Sequence, residues 1–89
     1  MPKKHILICN KLGLHARAAA KLVFLTSTFN CDVFLQKGDK RINAKSIMGV
    51  MMLAASKGTQ LTLETTGEDA EQAIIEIEQL VNNRFEEDE

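Results

Sequence analysis

The 89-residue sequence predicts an α+β fold, one sheet covered on a single face by three helices in the order β-α-β-β-α-β-α. Three observations carry this. Short runs alternate apolar and polar side chains, as half-buried strands do. Longer runs repeat apolar residues every three or four positions, the stripe of a helix with one buried side. A Gly38-Asp39 pair between two of the short runs marks a hairpin. Strands with one apolar face need cover on that side only. The sheet, antiparallel or mixed, therefore leaves its other face to Lys, Asp, Thr and Gln side chains.

Each element has its own signal. Residues 5–9, HILIC, are apolar and rich in isoleucine, which predicts a first strand with Ile6 and Ile8 inward. The first helix is expected from residue 16 to about 28, with Ala19, Leu22, Val23 and Thr26 on its core face and Asn30 stopping it. CDVFLQ (31–36) alternates, with Val33 and Leu35 on one side, and the hairpin returns through KRIN (40–43). Ser46 is a good N-cap for a helix over 47–57, and Gly58 a good residue to end it. TQLTLET (59–65) is a strand with Leu61 and Leu63 inward. Thr66 and Asp69 form a capping-box signal for the last helix, striped by Ala70, Ala73, Ile74, Ile77, Leu80 and Val81. The closing EEDE reads as a solvated tail.

Composition narrows the function. The chain is expected to be one domain over 1–89, with a single core. Eleven basic against twelve acidic side chains give a net charge of −1, which argues against a nucleic-acid binder. A local basic patch from Lys11, Arg17 and Lys21 is compatible with that balance. Cys9 and Cys31 fit no metal-ligand spacing and read as free thiols near strand ends. No run is apolar enough for a signal peptide or a membrane span, so a cytoplasmic protein is expected. No metal and no cofactor are called for.

Chemistry concentrates in NKLGLHARAAAKLV, residues 10–23. His15 stands at the start of the first helix, where the amides of Ala16, Arg17 and Ala18 lack intrahelical partners and the helix dipole adds positive charge. A dianion is stabilised at such a terminus, and the Arg17 guanidinium can reach it. Gly13 lets the loop turn sharply and leaves room for another protein surface. An imidazole with an ordinary pKa of about 6.5 is a fair nucleophile at neutral pH, and the positive setting favours its neutral form. No Ser-His-Asp set, Cys-His pair or metal-binding cluster is visible. Residue chemistry by itself leaves two readings of His15 open, a helix-cap or surface residue and a phosphorylatable nucleophile.

The same stretch resembles the phosphorylation-site motif of the HPr family, the histidine phosphocarriers of the bacterial phosphotransferase system, in which Gly-Leu-His-x-Arg-Pro opens the first helix. NAKSIMGVMMLAASKG, residues 43–58, resembles that family's regulatory-serine segment. The resemblance covers essentially the whole chain and implies the HPr-like open-faced β-sandwich, with a four-stranded antiparallel sheet. It implies that His15 accepts a phosphoryl group from enzyme I and passes it to an enzyme IIA, with Arg17 assisting. Such a protein is a phosphoryl carrier rather than a stand-alone catalyst. Ser46 matches a site phosphorylated by a dedicated serine kinase in some members, although N-capping alone accounts for a serine there. Leu14, Ile47, Met48 and Met51 would form the partner-docking surface. A carrier that needs this face free reads as a monomer.

Ala18 stands where the family has proline, which bears on the rigidity of the phosphate site. The opening motif, the 43–58 segment and the acidic C-terminal end also resemble the nitrogen-related branch, NPr, whose enzyme I and enzyme IIA serve regulation rather than sugar uptake. The nitrogen branch is favoured over a sugar-uptake HPr with Ser46 regulation. Met48 and Met52 share one helical face and Met51 lies with Ile47, so one pair is expected buried and the other exposed. His5 reads as an exposed strand residue. Two other function classes fit less well. A metal chaperone of similar topology needs a Cys-x-x-Cys that CNKLGLH lacks, and a non-covalent ligand-binding module leaves His15 beside Arg17 unexplained.

Overall fold

A computed structural model describes residues 2–89. Strands β1 (Lys3–Leu7), β2 (Asp32–Lys37), β3 (Lys40–Asn43) and β4 (Gln60–Thr66) form one antiparallel sheet in the order β1-β4-β2-β3. Helices α1 (Ala16–Thr26), α2 (Ile47–Met52) and α3 (Ala70–Asn82) cover one face, giving the open-faced sandwich. The register explains why that face closes. Ile6 lies opposite Leu61 and Leu35 opposite Leu63, so inward side chains of three strands meet in rows. Ala19, Leu22, Ala73, Ile77 and Val81 from α1 and α3 fill the other side of the same core. On the open face Arg41 lies 3.9 Å above the ring of Phe34 and bonds Glu64 at 3.1 Å, while Thr62 meets His5 at 3.3 Å.

The structure departs from the sequence reading at several ends. The first strand runs Lys3–Leu7 rather than 5–9; Ile8 is still buried, and its backbone bonds Thr59 and Gly58. The first helix stops at Thr26, with Val23 only half-buried. The second helix ends at Met52, not residue 57. Ala54 turns left-handed (φ 51°) just past its cap, which lets Leu53 and Ala55 drop into the core. Gly58 does not terminate that helix; it opens the turn into β4, its amide donating to Ile8. Neither methionine pair of α2 is buried: Ile47, Met48, Met51 and Met52 are all exposed, and Val50 alone anchors the helix.

The capping box does not form. Asp69 takes the N-cap position, but its carboxylate accepts the amides of Asn30 at 2.9 Å and Cys31 at 2.8 Å, tying α3 to the start of β2. Those backbone bonds, the Asn30 amide first, hold the Asp69 carboxyl below the usual carboxylate range against the desolvation that opposes them. Burial pushes the neighbouring Cys31 thiol up to about 11, with Asp69 adding to the effect. Cys9 and Cys31 are both free. Among the described residues no helix is long and apolar enough to cross a membrane.

Candidate functional site at the start of the first helix

The loop before α1 is shaped by contacts the sequence does not announce. Gly13 has φ +66°, and its amide bonds the carbonyl of Asn10. The space beside it is not open to another protein: a Cβ there would lie 2.4 Å from the carbonyl oxygen of Ala55 and 2.7 Å from Cα of Ser56. The chain leaving α2 therefore packs directly on this loop, and the Leu14 amide bonds Ala55 at 2.8 Å. Leu14 is buried, which corrects its placement on the docking surface. Leu12, two residues earlier, is 65 % exposed and is the outward leucine of the loop.

His15 supplies the N-cap backbone of α1, with extended geometry (φ −74°, ψ 178°), and its side chain caps nothing. The first hydrogen bond of the helix runs from the Ala19 amide to the His15 carbonyl at 2.8 Å, so the amides of Ala16, Arg17 and Ala18 lie ahead of the helical ladder. The helix-cap reading of the imidazole thus falls away. Its Nε2 instead meets Oε2 of Glu87 at 2.5 Å.

That contact corrects the solvated tail at Glu87, while Glu86, Asp88 and Glu89 remain exposed. Past α3 the chain forms a short 3₁₀ turn, Arg84–Glu86, and returns across the helix start. Phe85 is fully buried. The ammonium of Lys21 donates to the Phe85 carbonyl at 2.9 Å and lies 3.7 Å from the Glu86 carboxylate. Lys11 pairs with Glu89 at 3.6 Å. Glu87 is held at both oxygens, Oε1 accepting from Nδ2 of Asn10 at 3.0 Å. The Asn10 bond leads in keeping its carboxyl below the usual carboxylate range, against desolvation, and the interactions with His15 and Arg17 add to it. The surroundings of His15 are therefore mixed in charge, not positive throughout.

Arg17 is exposed and lines a cleft of about 410 Å³ with Lys11, Leu12, Lys21 and the tail from Glu86 to Glu89. The basic patch read from the sequence is real in space, and the acidic tail lies across it. Ser46 caps α2, its Oγ accepting the Gly49 amide at 3.1 Å. The exposed side chains of α2, which packs against α1, are Ile47, Met48, Met51 and Met52. Sequence reasoning missed Asn10, Leu12 and Glu87. Asn10 carried no signal beyond being a polar residue in a loop, and Glu87 carried none, because its partner lies 72 positions away. Among the described residues no group of His, Cys, Asp and Glu could hold a metal ion.

Residues 2–83 match the family model described as the PTS HPr component phosphorylation site. The phosphocarrier protein HPr of Pseudomonas putida is 52 % identical over the full length of both chains. The phosphocarrier protein NPr of Shewanella violacea is 42 % identical, over 96 % of this chain and 93 % of the relative. Among solved structures, an HPr from Thermoanaerobacter tengcongensis superposes with a TM-score of 0.96 at 42 % identity, covering both chains completely.

Proposed function

The chain belongs to the HPr family of phosphotransferase-system phosphocarriers, and from that premise we propose that His15 is the residue that carries the phosphoryl group. A phosphorylated enzyme I charges the ring, and an enzyme IIA discharges it. The observation that supports this reading most is the position of His15 at an uncapped helix start. Its backbone stands just before three amides that the helix does not use, with Arg17 on the adjoining cleft. Amides and guanidinium together match the charge and donor needs of a phosphoryl group. Ile47, Met48 and Met51 give α2 an exposed apolar face for both partners, and flexible methionine side chains suit a surface that docks more than one.

The protein works in this reading as a cytoplasmic monomer of one domain. Incubation with enzyme I and labelled phosphoenolpyruvate should give acid-labile, base-stable label that disappears in His15→Ala. Absence of label with every type of enzyme I would sink the proposal.

The branch is a finer matter. The opening motif, the 43–58 segment and the acidic end of the chain favour the nitrogen-type enzyme I and enzyme IIA. The identity to an HPr exceeds that to an NPr, 52 % against 42 %, which favours the sugar-uptake branch with Ser46 regulation as the second reading. Label transferred faster from a nitrogen-type than from a sugar-type enzyme I decides for the first. The reverse order, together with ATP-dependent modification of Ser46 by a serine kinase, decides for the second.

A further inference from the structure

We propose that Glu87 is a positioning residue for this transfer: its carboxylate holds the proton on Nε2 of His15, leaves Nδ1 as the nucleophilic nitrogen and balances the charge the ring gains. The inference rests on the reading of His15 as phosphoryl acceptor and adds a residue from the far end of the chain to its machinery.

The chemistry of the contact fixes the direction of the hydrogen bond. An ionised carboxylate only accepts, so at 2.5 Å from Oε2 the ring nitrogen Nε2 is the donor. A neutral imidazole with its proton on Nε2 has its lone pair on Nδ1. The carboxylate has little freedom to turn away. Its second oxygen accepts from Asn10, whose fully buried amide also donates to the Gly13 carbonyl at 2.8 Å. Glu87 and the loop that carries His15 thus share one buried hub.

The backbone that delivers Glu87 is itself held against its own preference. Arg84, Phe85 and Glu86 have φ of 57°, 54° and 64°, three successive non-glycine residues in the left-handed region. Residues adopt that region singly when left to themselves, and a run of three persists only where surroundings over-determine it. The buried Phe85 ring and the Lys21 bond to its carbonyl do so here.

The transfer balances as follows. The Nδ1 lone pair forms the bond to phosphorus while the bond from phosphorus to the donor protein breaks, its electron pair leaving with the donor. The Nε2 proton stays on the ring, which becomes an N-phosphorylated imidazolium facing a carboxylate. In the onward step the ring departs as neutral imidazole because that proton has been kept in place. Fixing a tautomer through the hydrogen bond on the other ring nitrogen is a general means of setting what a histidine does.

Long-range ¹H–¹⁵N spectra of the His15 ring in the full-length, unphosphorylated protein test this, with single-turnover transfer from phosphorylated enzyme I measured alongside. The wild type is expected in the Nε2–H form. In Glu87→Leu the Nδ1–H form gains population and the transfer slows by roughly tenfold or more. Glu87→Gln, which keeps an acceptor oxygen but not the charge, keeps the tautomer and loses part of the rate. An unchanged tautomer in Glu87→Leu overturns the proposal. So does faster transfer in that variant, the mark of a tail that merely blocks the ring. A wild type that accepts no phosphoryl group fails the reading of His15 itself, and is seen without any variant.

Discussion

Gly13 and Ala55 touch backbone to backbone. The 2.4 Å that a Cβ on Gly13 would leave to the Ala55 carbonyl oxygen is far inside any real contact. The site loop and the segment leaving α2 are thereby fixed to one another, and that fixes where the imidazole stands relative to the exposed methionines. Gly13→Ala must both strain the backbone and push the two segments apart. We expect a loss of more than about 2 kcal/mol, read from the urea midpoint. Gly58→Ala provides the comparison: φ is +90° there, but nothing lies within 4 Å of the added carbon, so only backbone strain of about 1–3 kcal/mol applies. If Gly13→Ala costs less than Gly58→Ala, the contact is not the constraint it appears in this geometry.

Phe85 plugs the tail into the core with no exposed surface. Phe85→Ala should lower stability by about 3–5 kcal/mol, the usual cost of emptying a buried aromatic site. It should also free Glu87, so the His15 ring spectrum moves toward that of Glu87→Leu at temperatures where the fold is intact. A Phe85→Ala protein with unchanged stability and an unchanged ring spectrum would show that the tail is held by its ion pairs instead.

The lowered carboxyl of Asp69 makes stability depend on acid in a definite sense. A carboxyl whose folded pKa is depressed contributes stability above its unfolded value and loses it as pH falls through the folded one. The unfolded value is about 3.9, so the gap in urea midpoint between wild type and Asp69→Asn should be widest near neutral pH. It should start to close below about pH 4 and vanish once Asp69 is protonated in the folded state. A gap that stays constant into acid would mean that the Asn30 and Cys31 amides do not depend on the charge.

Ala18 is fully buried on the first turn of α1. A proline there breaks no helical bond, because the Ala18 amide precedes the ladder, but two further ring carbons must enter a packed site. Ala18→Pro should cost about 1–3 kcal/mol from overpacking and remove one of the three free amides at the helix start. Single-turnover transfer from enzyme I should slow in step with the lost donor. Faster transfer would show that rigidity of the turn outweighs the amide.

Much of this protein is legible in its sequence because the signals are local. Val33, Leu35, Leu61 and Leu63 alternate, and they face the helices. Ser46 looks like an N-cap and accepts the Gly49 amide. Ala19, Leu22, Ala73, Ile77 and Val81 stripe their helices at the expected spacing and are buried. Histidine, arginine and a helix start within three residues of each other are equally local. What fails is each reading that needed a distant partner. The 47–57 helix stops early because Leu53 and Ala55 are drawn into a core made by other elements. Asp69 abandons its own helix for amides 38 and 39 residues away. Leu14 sits beside His15 yet points inward, since Ala55 holds its backbone.

The sheet, the helices and the residue at the head of α1 can therefore be read locally, as consequences of periodicity and of what a helix terminus leaves unbonded. How that residue is held depends on contacts between distant parts of the chain. EEDE has no pattern and reads as solvent-exposed charge. It returns across the helix start because a phenylalanine just before it finds a buried site and because Lys11, Lys21 and Asn10 offer it partners. Hydrogen bonds between residues 72 and 77 positions apart leave no trace in any window of sequence. They exist because the core that the periodic residues build brings both ends of the chain to one edge.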